Sequence, residues 1–90
     1  MRPEDALSPR NRIADNSLQV IYTSPDGDWS LAEMIFDDHP AVGCRWNGDI
    51  ADPEDKGNPR SHGQGTWFIL PDALGVPVAS LAKVFRHSYA

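Results

Sequence analysis

Five hard oxygen donors crowd one short stretch of the chain: Asp49, Asp52, Glu54, Asp55 and Asn58. Such a density could hold a calcium or magnesium ion. The alternating ligand spacing of an EF-hand loop is absent, however, and Lys56 places an ammonium among the candidate ligands. Zinc chemistry needs paired soft ligands, and Cys44, His39, His62 and His87 show no paired spacing. Ser61 and His62 are adjacent, but a nucleophile needs a base oriented by a third group, which adjacency does not supply. Asp26 and Asp28 resemble the paired carboxylates of metal-dependent transferases. Those enzymes need a nucleotide-binding domain, and 90 residues cannot hold one. The segment GNPRSHGQG has three glycines, none at the spacing of a phosphate-binding loop. No catalytic residue, metal or cofactor is therefore expected, and the protein is read as a non-enzyme.

The same stretch suits recognition better. Residues 47–65, NGDIADPEDKGNPRSHGQG, hold one branched apolar side chain, Ile50, in 19 positions. Structureless loops longer than about 12–15 residues are uncommon in compact domains and are usually functional or disordered. Ordering a residue costs roughly 1–2 kcal/mol, and Ile50 alone cannot offset that. Strand parity places Trp46 and Trp67 on either side of the loop, near Arg45 and Arg60. An aromatic and arginine cluster there has the composition of an interface hot spot. Arg45, Trp46, Asp49, Asp52, Glu54, Asp55, Arg60, His62 and Trp67 are accordingly the expected partner-binding residues. Trp29, Trp46 and Trp67 each also have a plainer place, in a small core. Replacing residues 49–64 with a short Gly-Ser linker is expected to spare the fold and abolish binding.

Charge narrows the choice of partner. The net charge is −5, with nine acids against Arg45 between residues 26 and 55. From residue 56 onward, Lys56, Arg60, Lys83 and Arg86 face only Asp72. Nonspecific nucleic-acid binding needs a basic surface, so another protein is the expected partner. Two nucleic-acid readings stay open beside it. Arg60, Lys83 and Arg86 could make weak phosphate contacts, or the acidic middle could imitate phosphates and occupy another protein's groove. No apolar run approaches the roughly 20 residues that span a bilayer. MRPEDALSPRNRIADN lacks the apolar core of a signal peptide, and the single Cys44 cannot form an internal disulfide. A cytoplasmic monomer or homodimer is expected, unpaired strand edges making a dimer easy.

Short elements must position these groups. Eight prolines and seven glycines imply many turns. Residues 1–16 are polar and are expected to form a flexible arm, with 17–90 as one small β-rich domain. LQVIYT (18–23) is β-branched and aromatic, hence a strand, and SPDGD (24–28) is turn chemistry. WSLAEMIF (29–36) alternates Trp29, Leu31 and Ile35 against Ala32, Met34 and Phe36. Pro40 close behind favours strand over helix. DDHP (37–40) reads as the hairpin turn. In AVGCRW (41–46), Val42, Cys44 and Trp46 share a face opposite Gly43 and Arg45. TWFILP (66–71) is apolar on both faces and reads as a central strand. Asp72 is expected to cap a single turn, DALG, ended by Gly75, and Pro77 to open a short helix reaching residue 87. A strand at VPVASL is the alternative.

LQVIYT, WSLAEMIF, AVGCRW and TWFILPDALG, about half the chain, resemble in layout a small SH3-like barrel. The expected class is mainly β: such a barrel, or a curved antiparallel sheet, with a long loop and a short C-terminal helix. The paired aromatics of a proline-peptide groove are missing, so that activity is not implied. WSLAEMIFDDHPAVGCRWNGD with GTWFILP also resembles short bacterial proteins, a likeness that implies no activity.

Overall fold

β-branched and aromatic residues extend the chain as β1 (Gln19–Thr23). A turn follows in which Gly27 takes φ +80°, a conformation that costs glycine nothing. The chain returns as β2 (Trp29–Phe36) and then β3 (His39–Trp46), in unbroken register from Trp29 opposite Trp46 to Phe36 opposite His39. Asp37 and Asp38 alone make this hairpin turn, at φ +50° and +66°. Two consecutive positive φ values suit the right-handed twist of the flanking strands. The turn is thus two residues tighter than DDHP, and His39 and Pro40 belong to β3. A computed structural model describes residues 1–89, with side chains as far as Phe85.

Inside the long loop lies a second hairpin, β4 (Arg60–Ser61) and β5 (Gln64–Gly65), turning over His62 and Gly63. β6 (Phe68–Ile69) then pairs with β3 through Gly43 opposite Ile69 and Cys44 opposite Phe68. The main sheet runs β1-β2-β3-β6 and is antiparallel throughout. It is mainly β with one C-terminal helix, as the sequence implies. β1 and β6 end the sheet on opposite sides and do not pair, so among the described residues no barrel closes. β6 is therefore a short edge strand and not the central one expected.

α1 (Asp72–Tyr89) is one continuous helix. Gly75 does not end a turn. It lies over Val42 of β3, where an added Cβ would make an ordinary contact at 3.5 Å. Pro77 sits inside the helix, as its sixth residue. Its missing N–H removes one intrahelical bond near the start of α1.

The two faces of the sheet carry separate cores, and the alternation along β2 assigns them. Leu31 joins Ile21, Val42, Ala79 and Ala82 beneath α1. Ala32 and Met34 join Met1, Ala6, Ile13 and Trp67 on the opposite face. That second layer is made by residues 1–16, expected as a flexible arm. They lie across the sheet, with Met1, Ala6 and Ile13 buried. Ala14 N–H donates to the Ile35 carbonyl and Asp37 N–H to that of Arg12, which extends the edge of β2. Arg12 also pairs with the Asp37 carboxylate and lies over the Phe36 ring at 4.7 Å. A two-faced sheet this small cannot leave one face bare, and the arm supplies the missing cover.

Candidate interaction surface

The acidic loop is ordered around cations rather than around apolar side chains. Parity turns Arg45 to the face opposite α1, and its side chain is 2% exposed. Its Nη1 donates to the Thr66 carbonyl at 2.7 Å, and its Nη2 to the carbonyls of Lys56 at 2.5 Å and Trp46 at 3.3 Å. The Met1 ammonium donates to the carbonyls of Asn47, Asp49 and Asp55 at 2.8, 3.0 and 2.6 Å. Between them, the two cations gather the loop's backbone from both ends. Asn47, wholly buried, ties the loop to the β1–β2 turn: its Nδ2 donates to Gly27 O and Ser30 Oγ, and its N–H to Asp28 O. Gly57 (φ +64°) crosses so close to Trp46 that a Cβ would collide with its carbonyl oxygen. Replacing residues 49–64 with a Gly-Ser linker would remove the Lys56 acceptor of Arg45 and the Asp49 and Asp55 acceptors of Met1, so the exchange is expected to cost stability.

This arrangement redistributes the expected partner-binding residues. Arg45 and Trp67 meet, with the guanidinium 5.8 Å from the Trp67 ring centre, but they meet in the interior. Trp67 is 4% exposed, and its Nε1 donates to the Ala6 carbonyl at 2.7 Å. Both are corrected from contact residues to scaffold, because the polar loop needs a buried cation and the arm needs an anchor. Trp46, Asp49, Asp52, Glu54, Arg60 and His62 remain exposed, and Asp55 is half-buried. His62 and Arg60 lie on the β4–β5 hairpin, where Arg60 Nε donates to the Gly57 carbonyl.

Asp55 organises the acidic stretch. Its carboxylate accepts the N–H groups of Asp49 (2.9 Å) and Gly57 (3.1 Å). These bonds, then the nearby Met1 ammonium and Arg60, hold its carboxyl below the usual carboxylate range. Asp26 is lowered by the Ser24 hydroxyl and the Asp28 N–H, and Asp37 by Arg12. A depressed folded pKa stabilises fully above the unfolded value, about 4. That contribution disappears as the pH falls through the folded value. The unfolding midpoint is therefore expected to drop on acidification below about pH 4. Asp55→Asn should be less stable than the parent at pH 7 and converge on it at low pH. Parallel urea-unfolding midpoints for the two chains across the whole titration would contradict this role.

The structure also exposes a surface that strand parity alone did not reveal. Trp46 is 56% exposed and Phe68 49%, on the α1 side of the sheet. Leu74, Leu81 and Phe85 recur at i, i+7 and i+11 along one flank of α1, and Leu81 is 54% exposed. Between helix and strands the half-buried Tyr22, Trp29, Cys44 and Val78 continue the apolar surface inward. Phe85 lies 6.2 Å from the Tyr22 ring and Tyr22 5.2 Å from Trp29, which is paired across the sheet with Trp46. The sequence did carry a signal for this band. α1 has apolar residues over far more of its circumference than the narrow Ala79 and Ala82 contact can bury.

The other flank of α1 faces a groove of about 630 Å³ lined by Glu33, His39, Val76 and Lys83. Lys83 Nζ lies 2.9 Å from Glu33 Oε1 across it, which ties up one of the basic residues considered for phosphate contact. Arg86 and His87 fall outside the described side chains. Burial raises the Cys44 thiol above its usual value, so it stays protonated at neutral pH. Among the described residues no three His, Cys, Asp or Glu side chains are grouped to hold a metal ion. No helix among them is long and apolar enough to cross a membrane. Comparison with protein-family models, with curated proteins and with solved structures finds no match to this chain.

Proposed function

We propose that this protein is a non-catalytic interaction module that docks another protein on the α1 side of its sheet. The observation that carries the proposal is the apolar band of Trp46, Phe68, Leu74, Leu81 and Phe85, exposed together beside one helix. A 90-residue domain has few apolar residues to spare, and a band of this kind marks an interaction site. The long loop keeps a part in this reading. Its exposed acids follow Trp46 directly in the chain, while its backbone is structural. An SH3-like strand layout would suit such a scaffold, but the docking face needs only the open sheet and its helix.

The test uses the whole chain and a Phe68→Ser/Leu81→Ser double variant as matched baits in an extract of the source cells. Both positions are about half exposed, so the variant should keep its fold, checked by its unfolding midpoint. Chains retained by the parent and lost by the variant are the expected outcome. Equal recovery by both baits would remove this face from consideration.

A further inference from the structure

Resting on that reading, we infer that the apolar band takes a cationic amphipathic helix from its partner. Two features lead there. The band runs from an exposed helix flank onto a sheet face over half-buried apolar residues, an apolar strip of the kind that the apolar side of an amphipathic helix covers. Its Trp46 end adjoins an acidic turn and an acidic loop. Asp28 directly precedes Trp29, and its carbonyl accepts the Asn47 N–H one residue beyond Trp46. A Cβ on Gly27 would be 3.4 Å from Ile50, so the turn bearing Asp26 and Asp28 abuts the loop bearing Asp49, Asp52 and Glu54.

Charge complementarity then selects among occupants. Lys56 and Arg60 are the basic residues of the loop, and both side chains bend back onto its own carbonyls, of Pro53 and Gly57. A partner helix with lysine or arginine along its polar side would face the five acids while its leucine-like side covers Phe68, Leu81 and Phe85. A second copy of this chain, at net charge −5, would bring acid against acid at that rim.

The test measures binding of a fluorescein-labelled 18-residue Leu/Lys amphipathic peptide by anisotropy. A scrambled peptide of the same composition and a version with Glu for every Lys serve as controls. The amphipathic Lys peptide should bind at least about tenfold more tightly than either control. Phe68→Ser/Leu81→Ser should cost about tenfold or more at every salt concentration. Asp49→Asn/Asp52→Asn/Glu54→Gln keeps the local acceptors of Asp49 and Asp52 toward Ala51 and Glu54. It should weaken binding at low salt and flatten the salt dependence. Equal affinity for the scrambled peptide would overturn the inference, since charge alone would then explain binding. Preference for the Glu peptide, or a doubling of mass in sedimentation that the Phe68→Ser/Leu81→Ser variant abolishes, would also overturn it. Either of those would leave the docking face standing. If no peptide binds and the two extract baits recover the same chains, both the inference and the interaction reading fall.

Discussion

Arg45→Met is expected to lower folding stability by about 3 kcal/mol, although the methionine keeps much of the stem volume. The loss comes from acceptors rather than from packing. The carbonyls of Thr66 and Lys56 take hydrogen bonds from the guanidinium, as does that of Trp46, which also accepts the Asn58 N–H. A buried carbonyl left unpaired costs about 1–3 kcal/mol, and water reaching a loosened loop would recover part of the sum. Arg45→Lys should fall between the two, because one ammonium cannot match the fork that reaches Thr66 and Lys56 together. Urea unfolding gives the energy, and limited proteolysis within residues 49–64 should accelerate in parallel. A variant as stable as the parent, with an uncut loop, would mean that the loop holds its shape without the cation.

Trp67→Ala should cost more still, about 3–5 kcal/mol, from a total expected at about 5–15 kcal/mol for a domain of this size. The ring fills the arm-side core against Met1, Ala6, Ile13, Ala32 and Met34. Its backbone also passes Gly43 closely, where a Cβ would sit 2.9 Å from that of Trp67. Trp67→Phe separates packing from anchoring. It keeps most of the apolar area and drops the N–H bond to Ala6, a loss of about 1–2 kcal/mol. The effect should be local: amide exchange in residues 1–8 should quicken while that of β2 and β3 stays close to the parent's. If Trp67→Phe instead loosens the whole sheet evenly, the arm is not held through Trp67.

Taken together, the two substitutions explain why the chain keeps a long loop that buries little. The loop is polar because what it encloses is polar. The exposed acids outside balance the cations within, and the half-buried Asp55 gives its carbonyl to Met1 and its carboxylate to the N–H groups of Asp49 and Gly57. Order here comes from hydrogen bonds donated by Arg45 and Met1 to backbone carbonyls, an arrangement that leaves Asp49, Asp52 and Glu54 free to face solvent.

Local pattern determined the strands. LQVIYT, WSLAEMIF and AVGCRW form β1, β2 and β3 because alternation is a property of each segment alone, and the parity that groups Val42, Cys44 and Trp46 is the observed one. The acidic character of the loop and the turn chemistry at residues 24–28 and 37–38 were equally local. Tertiary structure decided which layer covers each face, and so the fate of every tryptophan. Trp46 ends β3 and Trp67 directly precedes β6, yet the arm buries Trp67 while Trp46 stays 56% exposed. Arg45 could not be assigned from its neighbours, because its acceptors at positions 56 and 66 lie 11 and 21 residues away. Met1 reaches 46–54 residues along the chain. The helix boundary was also settled at a distance, since Gly75 stays helical where α1 packs over Val42. Sequence period states which residues share a side. Only the closed set of contacts states whether that side meets protein or water, because burial is a property of what packs against a residue and not of the residue itself.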